Sequence, residues 1–195
     1  MRLIFLPVCC LLCTEPFPLC AGGPPRPHTA RRKLSAPQEF QGFPCDKGYA
    51  WFYDSGRLSS CFLSRDFQFG EAQAPRRSWI YFTPEGAPDF VFLSRTTLIR
   101  GLPCRGRGHQ YMTTFYPSGQ LKLCWLAADR DIAGVPCARA TFFADVFGGG
   151  AGTHFHANGA LSLCRLARDC TLQDQRFRKG DHPEFDPSGR LVPAR

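Results

Sequence analysis

The sequence predicts an all-β protein, an elongated antiparallel meander of about five stacked β-hairpin repeats. Two observations lead to this fold class. An aromatic residue stands four positions before a glycine in five successive segments, and cysteines recur at fixed positions relative to several of these glycines. The composition agrees, because 18 Phe, 19 Gly and 17 Pro against 2 Met suit short strands and turns better than long helices.

The repeated unit is clearest from Phe115 to Leu121, which reads Phe-Tyr-Pro-Ser-Gly-Gln-Leu. Proline presets φ at the first central position of a type I turn, and the glycine after the turn can take the left-handed conformation that closes a hairpin. A single hairpin is marginal in water, so we expect the units to lie edge to edge and bury their rings together. The turn glycines of the five units are Gly56, Gly86, Gly119, Gly159 and Gly189.

Residues 45–191 resemble the MORN-type repeat, in particular the bacterial variant labelled YwqK-like. Phe115 to Leu121 is close to that family's core of two aromatics, a polar residue, Asn or Ser, Gly, any residue and Leu. The units here are longer than the usual MORN length, and a cysteine follows several of the glycines. The resemblance implies an elongated antiparallel meander with a binding or scaffolding role, and it transfers no catalytic residue.

The N-terminus predicts export, to the periplasm or the outside of the cell. Arg2, an apolar run from residue 3 to residue 13 and small residues at 21–23 have the layout of a secretory signal peptide, predicted at 1–23. Residues 24–40, rich in Pro, Arg, Ser and Ala, are predicted to form a disordered basic linker. Residues 41–195 are then the repeat domain. No other segment is apolar enough to span a membrane.

The cysteines predict disulfides within units. A unit that lacks the strand cysteine, such as the one with Val91 in its place, also lacks the loop cysteine. In the alternative register each strand cysteine pairs with the following loop, which would leave Cys61, Cys104 and Cys164 unpaired. Buried free thiols are a third possibility. Cys170 is left over. The favoured pairs are Cys45–Cys61, Cys104–Cys124 and Cys137–Cys164.

The formal net charge of +8 favours contact with anionic partners. Basic residues precede the first aromatic strand of several units, and stacking could align them into an anion-binding stripe beside aromatic neighbours. The alternative is a solvated edge that blocks strand addition. The partner expected is another protein or an anionic envelope polymer, with no nucleic acid and no small-molecule cofactor. The candidate anion-binding residues are Arg76, Arg77, Arg105, Arg107, Arg176, Arg178 and Lys179.

Three other patterns have a chemical and a structural interpretation. His154 and His156 would share a strand face and could bind a metal with His109, His182 or a carboxylate, but no third ligand is fixed by the spacing. Asp66, Asp129 and Asp169 occupy one repeat position; the sequence favours turn-capping over a calcium-binding ladder. The glycine-rich run at 148–152 lacks the lysine of a phosphate loop, so a flexible insertion is the better interpretation.

The sequence predicts no enzyme. The Gly-x-Ser-x-Gly and His-Glu-x-x-His motifs are absent, no pair of carboxylates is singled out, and no Cys-x-x-Cys occurs after the signal segment. The leading hypothesis is a non-catalytic exported protein that presents a β surface to a macromolecule or acts as a scaffold. The alternatives are a specific protein binder of the antitoxin or immunity type, and a small hydrolase with an unrecognised site.

Overall fold

The computed structural model describes residues 30–107, 111–141 and 152–193, and within them the chain is all-β. In chain order the strands are β1 (Ala30–Leu34), β2 (Gln38–Phe40), β3 (Phe43–Phe52), β4 (Leu58–Leu63), β5 (Phe67–Phe69), β6 (Ala72–Ala74), β7 (Trp79–Phe82), β8 (Pro88–Phe92), β9 (Thr97–Ile99), β10 (Leu102–Cys104), β11 (Met112–Phe115), β12 (Leu121–Cys124), β13 (Arg130–Ile132), β14 (Val135–Cys137), β15 (Thr153–Phe155), β16 (Leu161–Leu163), β17 (Cys170–Leu172) and β18 (Gln175–Phe177). None of the described segments is a helix long and apolar enough to cross a membrane.

One large sheet carries the meander. Its strand order is β1-β3-β4-β7-β8-β11-β12-β15-β16, with β2 paired to β3, and every pairing is antiparallel. Four long hairpins, β3–β4, β7–β8, β11–β12 and β15–β16, form units one to four. Unit five is reduced to a bridge between Phe185 and Leu191. The predicted fold class is therefore confirmed.

The five turn glycines share one geometry, as the repeat predicts. Each has a positive φ, between 76° at Gly56 and 92° at Gly86. Each donates its N–H to the carbonyl three residues earlier, at 2.8 Å for Gly119 and Gly159 and 2.9 Å for the other three. In units one to four the strand register shifts beside the turn, which is the bulge expected of a type I turn closed by a left-handed glycine.

A second, shorter hairpin lies between successive long ones and was not predicted. These short hairpins are β5–β6, β9–β10, β13–β14 and β17–β18, and β2 forms a similar one with the start of β3. Most turn on two residues that both have positive φ, such as Arg100 at 51° and Gly101 at 75°. The sequence analysis treated these stretches as polar loops. Their presence explains why each unit is longer than the hairpin alone requires.

The core lies between the large sheet and the short hairpins. Strand residues alternate between fully buried positions, such as Ile80 and Val91, and half-buried neighbours on the opposite face. The buried row joins one hydrophobic cluster with Ile99, Val135 and Phe69 of the short hairpins. Burial of this inner face supplies the main stabilisation, at roughly 25 cal/mol for each Å² of apolar surface removed from water.

Two short hairpins also contact a long-hairpin turn that is not the next one along the chain: the short hairpin after unit one contacts unit three, and the one after unit two contacts unit four. The N–H of Glu71, in the turn between β5 and β6, donates to the carbonyl of Gly119 in unit three at 3.2 Å. A Cβ added at Gly70 would overlap the Gly119 carbonyl, so only glycine permits this approach. The Arg100 guanidinium, after β9, likewise donates to the carbonyl of Gly159 in unit four at 3.3 Å.

The domain boundary predicted at residue 41 is too late. Residues 30–34 form β1, which pairs along β3 at the edge of the sheet, and residues 38–40 form β2. The predicted disordered linker at 24–40 is therefore wrong from residue 30 onward. Arg32 shows why a basic strand is tolerated there, because its guanidinium lies 5.0 Å from the Phe52 ring centroid. The predicted signal peptide and residues 24–29 lie outside the described residues.

Two of the three predicted disulfides are present, Cys45–Cys61 and Cys137–Cys164. The alternative register is thereby excluded for Cys61. The predicted Cys104–Cys124 bond is not formed; both residues are buried thiols. A hydrogen bond with Cys124, together with burial, raises the pKa of the Cys104 thiol. Cys104 and Leu126 form an isolated antiparallel β-bridge, as Cys137 and Leu166 do, so the two cysteines hold equivalent positions in the repeat.

The disulfides give a stability prediction. We expect the double variant Cys45→Ala/Cys61→Ala to lose about 3 kcal/mol of unfolding free energy, because its closed loop of 16 residues would no longer restrict the unfolded chain. Denaturant unfolding measures this loss. Cys170→Ala, which removes a free thiol, is the control and should change stability little. Mass mapping that finds Cys61 joined to Cys104 would contradict the pairing.

Candidate functional site

The end of the sheet opposite the glycine turns carries a row of equivalent loops. In each, a backbone N–H donates to the carbonyl of the leucine seven residues after the preceding turn glycine: Arg77 to Leu63 at 2.8 Å and Arg107 to Leu93 at 2.9 Å. Ala140 and Gly180 make the same bond in the later loops. Since the strands are in register, the loops lie side by side along one edge. We call the cationic residues of these loops the basic loop edge: Arg76, Arg77, Arg105, Arg107, Arg139, Arg178 and Lys179.

Six of the seven predicted anion-binding residues belong to this edge. The seventh, Arg176, lies in β18 instead. Arg139 was missed, because a single arginine preceded by alanine does not stand out in the sequence. Its position ten residues after Asp129 was the available signal, since Arg76 and Lys179 stand in the same relation to Asp66 and Asp169.

The repeated aspartates hold the loops in shape. Asp66 accepts the N–H of Arg76 at 2.7 Å, and Asp169 accepts that of Lys179 at 2.7 Å. Asp129 accepts the N–H of Arg139 at 2.8 Å. The interpretation of this repeat position as a turn cap is confirmed. No cluster of three side chains suited to hold a metal ion is present among the described residues.

The cations of the basic loop edge are not neutralised by the described carboxylates. Ion pairs do form on the adjoining turns, where Arg95 lies 3.1 Å from Asp66 and Arg168 lies 3.2 Å from Asp131. Within the described part of the chain, none of the seven members of the edge has a carboxylate at ion-pair distance. This edge therefore presents net positive charge.

The outer face of the sheet carries a continuous group of rings in units one and two. The Trp79 ring stacks on Phe62 with centroids 5.2 Å apart and lies 5.6 Å from Trp51. Tyr81 stacks on Phe90 at 4.3 Å. Most members are half-buried, and Tyr49 is 40% exposed. We call this group the aromatic face: Tyr49, Trp51, Phe62, Trp79, Tyr81, Phe90 and Phe92.

The aromatic face has a cationic margin. The Arg31 guanidinium of β1 lies 4.3 Å from the Tyr49 ring centroid. Further along the sheet, Arg105 of the basic loop edge lies 4.6 Å from the Tyr111 ring, which meets Trp125 edge to face at 6.0 Å. Cations over aromatic rings are stabilised by the ring quadrupole. The Tyr111–Trp125 pair thus connects the basic loop edge to the outer side of the sheet.

His156 has a structural role in the described chain. His156 Nε2 lies 2.8 Å from the carbonyl oxygen of Phe185 in the next unit; since a carbonyl only accepts, the ring donates. Tyr53 and Tyr116 donate in the same way to Phe82 and Phe155. His156 therefore joins neighbouring units, as these tyrosines do.

His154 lies on the outer face between Leu123 and Leu163. Burial lowers the pKa of its ring, and nearby Lys122 lowers it further. His182 is exposed, and the predicted ligand His109 lies outside the described residues. The metal-binding hypothesis thus gains no third ligand from the described side chains. Of the glycine-rich run, only Gly152 is described, where it is buried.

No protein-family model, curated protein or solved structure matches the chain significantly. The resemblance to MORN-type repeats therefore stays a prediction from the sequence.

The lowered pKa of His154 predicts a pH dependence of stability. The unfolded state takes up the proton more readily than the folded state, so the unfolding free energy should fall as pH drops below about 6.5, the ordinary histidine value. His154→Gln should reduce that fall in denaturant titrations at pH 7.5 and 5.5. The matched control is His182→Gln, at an exposed histidine. An unchanged pH profile in His154→Gln would contradict the assignment.

Proposed function

We propose that the protein is a non-catalytic binding protein of the cell envelope or the extracellular space that holds an anionic polymer along its basic loop edge. The observation that carries this proposal is the row of seven cations that lack described carboxylate partners. The two disulfides are compatible with an extracellular protein. The predicted signal peptide points the same way.

The spacing of the loops supports a polymeric ligand. Each unit contributes two strands to the sheet, and neighbouring strands lie about 4.8 Å apart, so loops of successive units repeat at about 10 Å. A chain with regularly placed negative groups can meet several loops at once, and linked contacts raise the overall affinity well above that of one contact.

A binding role is supported by the use of the repeated carboxylates. Asp66, Asp129 and Asp169 each accept a backbone N–H and fix a loop. The same bonds hold the backbone of the neighbouring cations in place.

We expect binding to a sulfated dextran to weaken steeply as salt rises, since exposed charges are screened within about 10 Å at 0.1 M salt. Arg76→Ala/Lys179→Ala should lower the affinity and flatten the salt dependence, each charge contributing roughly two- to fivefold. Fluorescence anisotropy with a labelled polymer measures both. Arg190→Ala, at the glycine-turn side, is the control. Salt-independent binding would contradict the proposal.

A specific protein partner is the second candidate, and the aromatic face favours it. Clustered aromatic residues on a surface are enriched at protein interfaces, where they supply large contact areas at a small entropic cost. Tyr49 is the most exposed member and packs against Trp51 and Arg31.

This second candidate predicts a different variant effect. Tyr49→Ser should abolish capture of a protein partner in a pull-down of the mature chain from its own envelope fraction, whereas Arg76→Ala/Lys179→Ala should leave that capture unchanged. Retention of the captured protein by Tyr49→Ser, or its loss in the loop-edge variant alone, would contradict an aromatic interface.

A further inference from the structure

One part of the basic loop edge forms a cavity. It lies between the loop that follows β10 and the loop that follows β14, with a volume of about 550 Å³. Gly106 and Ala140 are buried, whereas Arg107 and Arg139 are exposed beside the opening. Three arginines line it, and among the residues that the structure describes no aspartate or glutamate does. The described lining is Thr96, Arg105, Gly106, Arg107, Ala127, Arg139, Ala140 and Thr141.

The Arg105 guanidinium is held in position. It donates to the Ala140 carbonyl at 2.5 Å and lies over the Tyr111 ring. Its own backbone N–H donates to the Trp125 carbonyl at 2.6 Å. An arginine has five N–H donors, so most of those on Arg105 remain for a ligand. A cation that is already positioned loses little entropy when it binds.

The other two arginines are positioned through their backbones. Asp129 accepts the N–H of Arg139, whose carbonyl accepts a hydrogen bond from the Arg165 guanidinium at 3.1 Å. Arg107 donates its N–H to Leu93 and has a φ of 62°. The two side chains therefore start from fixed points in neighbouring loops. They approach the cavity from different sides.

The cavity coincides with a departure from the repeat. The residue ten positions after the turn glycine is Asp66, Asp129 and Asp169 in three units, but Thr96 in unit two. The residue ten positions further on, where the other three loops are capped, is Gly106, and a Cβ there would overlap the backbone of Arg95. Unit two thus lacks the carboxylate that caps the equivalent loops. A hydroxyl, which can donate to an anion, takes its place in the lining.

We propose that this cavity binds a tetrahedral oxyanion group, a sulfate or phosphate ester. Guanidinium groups bind such oxyanions through paired N–H donors, and three arginines around one cavity can each address a separate terminal oxygen. A carboxylate offers only two oxygens in one plane and satisfies fewer of these donors. This assignment rests on the proposed function, since it names the group of an anionic polymer that the basic loop edge selects.

The decisive variant is Thr96→Asp. It restores the residue that three other units carry, so the fold should be retained, yet it places a carboxylate in the lining. Isothermal titration with sodium sulfate and sodium phosphate, at constant ionic strength in chloride, should show saturable binding to the wild-type protein. Thr96→Asp should weaken it at least tenfold with an unchanged thermal midpoint. Thr96→Ser, the neutral control, should bind as the wild type does.

Two titration results would overturn the site. One is equal binding by wild type and Thr96→Asp. The other is acetate binding as tight as that of sulfate and phosphate. If Thr96→Asp fails to fold, Arg139→Ala and Arg107→Ala replace it, and unchanged sulfate and phosphate binding in both would equally overturn the site.

Polymers separate this inference from the proposed function and identify the source of the group. Loss of affinity in Thr96→Asp for dextran sulfate, or for polyphosphate, with polygalacturonate unaffected, supports the site and names sulfate or phosphate as its ligand. Equal polymer binding by wild type and Thr96→Asp would overturn the site while the proposed function stands. Sulfate or phosphate binding that is sensitive to Thr96→Asp, without binding of any polymer, would support the site and overturn the proposed function.

Discussion

The structure depends on the packing of short hairpins against one face of a long meandering sheet. A single open sheet cannot form a hydrophobic core by itself and must bury one face against another layer. Here the inner face is covered by residues of the short hairpins such as Phe69, Ile99 and Val135. The disulfides join this layer to the sheet. Cys45 and Cys137 each end a short hairpin, whereas Cys61 lies in β4 and Cys164 directly follows β16. The outer face and the loops are thereby left for other roles.

The features that the sequence predicts well are local. The turn at Gly119 depends on Pro117, Ser118 and the glycine itself, so one short segment contains the whole signal. Disulfide pairing within units could be predicted because a unit without the strand cysteine also lacks the loop cysteine. The short hairpins were missed because three-residue strands such as β9 are too brief for an alternating pattern to stand out. β1 was missed because its basic residues resemble a solvated linker, and only its pairing with β3 makes it a strand.

The candidate site illustrates a related limit. The sequence identifies Arg105 and Arg107, but Arg139 joins them only because equivalent loops lie side by side in the folded chain. Thr96 attracts no attention by itself. It becomes informative because the equivalent position is aspartate in three other units. The sequence analysis noted only aromatic neighbours of the basic residues, so the aromatic face around Trp79 was not predicted. Which rings meet across strands depends on register, which the pattern alone did not supply.

The contacts that skip a unit have a consequence for how such a chain can change its length. In many repeat proteins a unit touches only its immediate neighbours, so modules can be gained or lost one at a time. Here Gly70 admits no side chain opposite Gly119, whereas Arg100 reaches Gly159 with a long one. Deleting one unit would bring a short hairpin against the wrong long-hairpin turn, so that the contacting residues would no longer fit each other. The order of the copies is therefore fixed, and duplication would have to be followed by tailoring of the new pairs.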